Sequence, residues 1–247
     1  MKRDIWGWLL PLAGGLSLLL LWSAVIVIGK VPEYIAPPPW TVAREIFANG
    51  ELLMLNFRPT LIEAVSGFAL GNLAAVAMAT AFVYFRILQR MYFPIAVLFN
   101  TIPIIAIAPI LVMIFGINMT PKIIISAIIC FFPTLVNMIR GLESCSASEL
   151  ELMRVMNASR LELFLRLRLP RSLPYLFSAL RISSTTSVIG AIVGEWIGSN
   201  LGIGALIIQA TFNYRIGLLY AAIFMSSALA LSLFATVLLV ERRILKW

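Results

Sequence analysis

Apolar residues gather into six long blocks, at about 9–29, 60–85, 91–115, 122–139, 173–197 and 216–240, with polar intervals between them. A run of about 20 such residues, wound at 1.5 Å per residue, matches the ~30 Å hydrocarbon core of a bilayer. Each block therefore reads as a membrane-spanning helix, and the chain as one all-α transmembrane domain over 1–247. The first block follows Lys2 and Arg3 as a secretory signal would, but no small-x-small cleavage site precedes Lys30, so it is expected to stay as the first span. Pro94, Pro103 and Pro109 fall in the third block, where neighbouring helices and local backbone adjustment are expected to absorb them. There is no strong internal repeat of the halves and no soluble domain.

Two polar intervals stand out. From Lys30 to Pro59 the chain carries Pro37, Pro38 and Pro39, then TVAREIFANGELL, which predicts a short helix with Val42, Ile46 and Phe47 on one side. That helix is expected to lie on the membrane surface, contact with a soluble partner being the alternative. The second interval, Ser146–Pro174, forms a compact handle. Ser148 stands three residues before Glu151 and Ser159 three before Glu162, so each pair can form a capping box and start a short helix. Between them Asn157 predicts a left-handed turn at 157–158. Leu150, Met153 and Met156 fall on one face of the first helix, and Leu161, Phe164 and Leu165 on one face of the second. Pro170 and Pro174 are expected to stop the second helix before the fifth span.

Composition agrees: 61% of the 247 residues are hydrophobic and 12% charged, far from the balance of a soluble domain. The formal charge of +8 is scattered between the apolar blocks, not drawn into one stripe, which argues against nucleic acid. Six spans put both termini on one side. On that side fall Lys2, Arg3, Arg86, Arg90, Arg140, Arg154, Arg160, Arg166, Arg168, Arg171, Arg242, Arg243 and Lys246, so the ends and the handle are expected to be cytoplasmic. Trp6, Trp8 and Trp247 then belong at the inner interface, with Trp40 and Trp196 at the outer one. Cys130 and Cys145 differ in depth and predict free thiols. With no His and no GxxxxGK[ST] run, the commonest zinc ligand and a nucleotide site of that type are absent.

Within the blocks, Glu63, Arg181 and Glu195 are candidates for function because charge is costly there; the competing reading is that each snorkels from near a helix end. Ser183, Ser184, Thr185, Thr186 and Ser187 surround the fifth helix and are candidates to line a path, as are Asn100 and Thr101 in the third. Back-bonding of each hydroxyl to its own helix is the alternative. Gly67 and Gly71, and Gly190, Gly194, Gly198 and Gly202, recur every four residues, a spacing that lets helices approach closely.

The handle carries a longer pattern. Glu151, Leu152 and Met153, then Asn157 after three residues, then Leu167, Leu169 and Pro170 after nine more, resemble the EAA, Gly, I-x-L-P loop of the inner-membrane permeases of binding-protein-dependent ABC importers. Larger residues replace both alanines, and Asn replaces Gly while keeping the turn. The stretches YIAPPPWTV, IPIIAIAPILVMIFG, FFPTLVNMIRGL and LLVERRILKW are similar to the nitrate, sulfonate, taurine and thiamine-precursor group, and IVGEWIGSNLGIGALI leans towards pyrimidine-precursor or riboflavin members.

The resemblance implies a non-catalytic permease of the bacterial inner membrane, without a cofactor of its own. It implies a cytoplasmic ABC ATPase pair that uses ATP and Mg, an extracytoplasmic solute-binding protein, and a second permease chain, most simply an identical one. Ser148, Glu151, Leu152, Met153, Arg154, Asn157, Ala158, Ser159, Leu169 and Pro170 would then meet the ATPase. A secondary carrier or channel is the rival reading, and an intramembrane enzyme a third; midplane ionisable groups, His ligands or paired carboxylates at helical spacing would have favoured them.

Overall fold

The computed structural model describes residues 6–245, which form helices and turns with no strand among them. Lys2, Arg3, Lys246 and Trp247, and the side chains of Trp6 and Trp8, lie outside what is described, so the placements expected for them stand apart from the structure. In chain order the helices are α1 (Trp6–Ile28), α2 (Pro39–Ala48), α3 (Gly50–Tyr84), α4 (Arg86–Thr101), α5 (Ile104–Phe115), α6 (Met119–Glu143), α7 (Ala147–Val155), α8 (Arg160–Leu163), α9 (Leu169–Glu195), α10 (Ile203–Phe212) and α11 (Ile216–Ile244). A π-helical turn, Phe164–Arg168, joins α8 to α9 without a break.

The centre of the fold is a seam of α3, α6 and α9, closed by small residues. A Cβ on Gly71 would meet Ala127 Cα at 2.9 Å, and one on Gly190 would meet Ser126 Cα at 2.7 Å. Gly67 abuts Ser126, and Gly194 faces Lys122 Cα at 3.0 Å, so four of the expected glycines do pack helix on helix. Gly198 and Gly202 do not. They lie beyond α9 with φ +80° and +124°, left-handed conformations that glycine adopts without a Cβ clash, and they shape the loop 196–202. Leu135, Met138 and Leu142 of α6 fill the core against Ala75, Ala79 and Phe82 of α3.

Outside the seam the surface is apolar: Leu18 is 68% exposed, Leu73 69% and Met113 86%. Water would not tolerate such a surface on a lone chain, but lipid and neighbouring chains do. Four helical runs are long and apolar enough to cross a membrane: α3, α6, the continuous Arg160–Glu195 and α11. The expected third span is instead broken, α4 and α5 meeting at 98°. Pro103 lacks an amide hydrogen and pushes Ile102 to ψ 125°, so the helix ends there. The first expected span coincides with α1, a helix of 23 residues.

Three further boundaries differ from the sequence reading. The short helix expected over 41–53 ends at Ala48, because Asn49 breaks it, and Gly50–Leu53 open the long α3, which runs on through Pro59. Its Val42 and Ile46 pack on α10 and α11 of the same chain, whereas Phe47 is 87% exposed on another side. Pro170 does not stop a helix. The Leu169 amide reaches back five residues to the Phe164 carbonyl, and this wider turn carries the helix on through Pro170, which has no amide hydrogen to give.

Candidate functional site: a capped handle and a buried charge cluster

The first helix of the handle is capped by Ser146, two residues before the expected Ser148. The Ser146 hydroxyl accepts the Glu149 amide at 3.2 Å, and Glu149 in turn accepts the Ser146 amide at 2.9 Å. Ser146 is the cap because it has the extended backbone (φ −70°, ψ 157°), whereas Ser148 and Glu151 already lie inside α7. The second box is the expected one: Ser159 and Glu162 exchange the same bonds at 3.2 and 2.9 Å. Asn157 has φ +52°, the left-handed turn predicted for it, which lets the Ala158 amide close on the Met153 carbonyl at 3.0 Å.

Both ends of the handle are tied down. Arg171 at the start of α9 pairs with Glu149 of α7, and Tyr84 at the end of α3 donates to the Arg160 carbonyl at 3.1 Å while its ring meets Phe164 at 6.1 Å. Leu150, Met153, Ala158 and Leu163 turn inward around a cleft of about 100 Å³ rimmed by Arg154 and Arg168. Met156, Leu161 and Leu165, expected on the apolar faces with them, point outward. Together with Leu152 and Val155 they make an open apolar surface, Val155 being 80% exposed. Glu151 is exposed beside it, and Leu169 and Pro170 are half-buried in the continuous helix.

At the opposite end of α9 lies a buried cluster that the sequence reading saw only in part. Glu63 of α3, Lys122 of α6 and Glu195 of α9 are all buried, so the two glutamates do not snorkel. Lys122 Nζ stands 3.5 Å from Glu63 Oε1 and donates to Ser199 Oγ at 2.8 Å. Glu195 accepts Thr60 Oγ1 and the Gly204 amide, each at 2.6 Å; Thr60 Oγ1 accepts the Ile203 amide at 2.8 Å, and Asn56 Oδ1 the Gly202 amide at 2.9 Å. Three successive amides at the head of α10 are thus capped by side chains of α3 and α9, since Gly202 has none to offer. Gly202 and Gly204 press directly on the Glu195 side chain. Lys122 was missed because a lysine at the start of an apolar block looks like a flanking charge.

The other candidate path residues do not converge. Ser184, Thr185, Thr186 and Ser187 bond back to carbonyls of their own helix. Ser183 instead meets Thr134 Oγ1 at 3.1 Å, and Thr134 donates to Asn72 Oδ1 at 2.5 Å, a buried tie between α9, α6 and α3. Asn100 and Thr101 are exposed at the break after α4. Arg181 pairs with Glu241 of α11 at 3.4 Å. Cys130 and Cys145 are free, as expected.

The family described as binding-protein-dependent transport system inner membrane component matches residues 71–246. A "probable ABC transporter permease protein" of Haemophilus influenzae is 37% identical over 220 residues, 89% of this chain and 90% of its own. The formylaminopyrimidine transport permease protein ThiX of Halalkalibacterium halodurans is 32% identical, over 94% of this chain and 93% of its own. The riboflavin transport system permease protein RibX of Chloroflexus aurantiacus is 29% identical, over 93% and 87%. Among solved structures, a chain of the inward-facing MetNI methionine ABC transporter superposes with a TM-score of 0.62 at 19% identity, over 85% of this chain and 98% of that one, a likeness of fold.

Proposed function

This chain belongs to the family of binding-protein-dependent transport system inner membrane components, and on that premise we propose that it forms half of the membrane path of an ATP-driven importer. It is a permease component of a binding-protein-dependent ABC transporter. In our reading, two copies associate, six spans per copy leave both termini in the cytoplasm, and the chain has no chemistry of its own. A soluble binding protein delivers solute from outside. A separate ATPase pair, with its own ATP and Mg, supplies the work.

The observation that carries the reading is the handle's surface. Leu152, Val155, Met156, Leu161 and Leu165 are exposed on a short unit braced by two capping boxes, a left-handed turn and ties to α3 and α9. A rigid apolar knob of this kind fits a groove on a soluble partner, as helix-in-groove docking requires. Closure of the ATPase pair would then move the knob and, with it, the helices it is tied to. The solute we infer is a pyrimidine-precursor- or riboflavin-like compound. ThiX at 32% and RibX at 29% identity support it, and so does the commitment of buried Lys122 to Glu63 and Ser199, which leaves that cation unfree for an oxyanion.

The test is uptake of labelled formylaminopyrimidine and of riboflavin into proteoliposomes holding this chain, its ATPase and its binding protein. ATP-dependent uptake that is lost in Glu151→Ala while ATP hydrolysis continues supports the reading. Uptake without ATP or ATPase would return the chain to the secondary carriers.

A further inference from the structure

Between the loop 196–202, Ile117 and α10 lies a cavity of about 280 Å³. Its shape is set by bonds already in place. Lys122 donates to Ser199 Oγ at 2.8 Å, Ser199 donates to the Leu201 carbonyl at 2.6 Å, and Asn56 Oδ1 accepts the Gly202 amide at 2.9 Å. None of these bonds uses the carboxamides of Asn200 in the loop or Gln209 on α10, two exposed residues that line the cavity. Trp196 lines it too, with 41% of its surface uncovered, and Ile117 and Ile208 supply apolar wall.

Such a lining selects by charge, by size and by edge pattern. Among the described residues no Lys or Arg lines the cavity, Lys122 is buried and held by Glu63 and Ser199, and the Glu195 carboxyl stands in the wall. A sulfonate or nitrate would lose its water there without gaining a cation, which is costly. The volume lies near the ~300 Å³ lower end of small-molecule sites. That suits one ring with its substituents and is too small for the three fused rings and polyol tail of riboflavin. A carboxamide presents a donor and an acceptor side by side, the complement of a ring nitrogen next to an amino group, and an indole stacks on a flat heterocycle.

We propose that this cavity is a solute site for an uncharged, single-ring nitrogen heterocycle, stacked on Trp196 and hydrogen-bonded along its edge by Asn200 and Gln209. The assignment rests on the importer reading and narrows its solute to the pyrimidine-precursor class. Ser199 and Glu195 hold the frame: the first ties the loop to α6, and the second grips the head of α10 through the Gly204 amide at 2.6 Å. A site held open in this way needs little ordering when solute binds.

Equilibrium dialysis of labelled formylaminopyrimidine against the full chain in lipid nanodiscs, without ATPase or binding protein, tests the site. Wild type binds saturably. Trp196→Ala weakens binding by roughly tenfold or more through lost stacking, and Asn200→Ala and Gln209→Ala each weaken it by roughly two- to tenfold. Asn213→Ala, at the end of α10 and outside the cavity, binds like wild type. All four side chains are exposed, so the variants keep the fold. Unlabelled formylaminopyrimidine displaces the label, whereas riboflavin and ethanesulfonate at the same concentration do not. No saturable binding in wild type, undiminished binding in any of the three cavity variants, or displacement by riboflavin or ethanesulfonate overturns the proposal. Such a result leaves the importer reading intact, because ATP-driven uptake into proteoliposomes is measured separately; uptake that needs no ATP overturns that reading and leaves the site.

Discussion

Thr60 on α3 donates its hydroxyl to Glu195 at the end of α9 at 2.6 Å, across 135 positions of sequence, and the same oxygen accepts the Ile203 amide at 2.8 Å. One side chain thus joins three helices. Thr60→Val removes both bonds and leaves a buried carboxylate and a buried amide short of a partner, a loss of about 1–3 kcal/mol. A lower thermal midpoint in detergent, recovered in Thr60→Ser, is the expected result; no change in Thr60→Val would show that the bonds contribute nothing.

The turn of the handle makes a second prediction. Asn157 at φ +52° can be replaced by Gly without strain, whereas Val there costs about 1–2 kcal/mol because a β-branched residue resists the left-handed region. Limited proteolysis of the inserted protein should cut Asn157→Val faster within the handle and leave Asn157→Gly like wild type. Equal cutting would discount the turn.

Helix packing sets up a third comparison. A Cβ at Gly190 meets Ser126 Cα at 2.7 Å, so Gly190→Leu must force α9 away from α6, at about 1–3 kcal/mol or more. Gly15 of α1 has nothing within 4 Å of its Cβ position, and Gly15→Leu is expected to be neutral. The yield of monodisperse protein separates the two.

Acid provides a fourth. The Ser159 amide, and after it the Ser159 hydroxyl and Arg166, hold the Glu162 carboxyl below the usual glutamate range. A group depressed in the folded state contributes stability that is fully present above its unfolded value and is lost as the pH falls through the folded one. Protease resistance of the handle in wild type should therefore exceed that of Glu162→Gln at neutral pH and converge with it in acid. A gap that persists in acid would mean that the charge plays no part.

Charge placed on the knob gives the fifth. Val155→Asp puts a carboxylate on the surface proposed to enter the ATPase groove, where losing its water is expensive. Binding of the ATPase should weaken by roughly tenfold or more while insertion is unaffected. Undiminished binding would place the contact elsewhere.

How much of this was legible in the sequence depended on the range of the interaction concerned. Ser159, Glu162 and Asn157 act within three or four residues of themselves, so spacing alone revealed the second box and the turn. Ser146 displaced Ser148 as the first cap because the chain is still extended at 146, a matter of backbone entry and not of spacing. The break at Pro103 and the continuity at Pro170 are opposite outcomes for one residue type. A π turn compensates the second, and no local pattern signals it. The cluster was least visible of all. Glu63, Lys122 and Glu195 come from three helices, and only their packing through Gly67, Gly190 and Gly194 makes three scattered charges into one site.

The join at Phe164–Arg168 has a mechanical corollary. Because that turn never interrupts the hydrogen-bonded backbone, Arg160–Glu195 is one strut of 36 residues, about 54 Å from tip to tip. It starts in the knob and finishes at the carboxylate that grips α10. Movement of the knob is therefore passed along one unbroken backbone to the far tip, where it reaches the grip on α10.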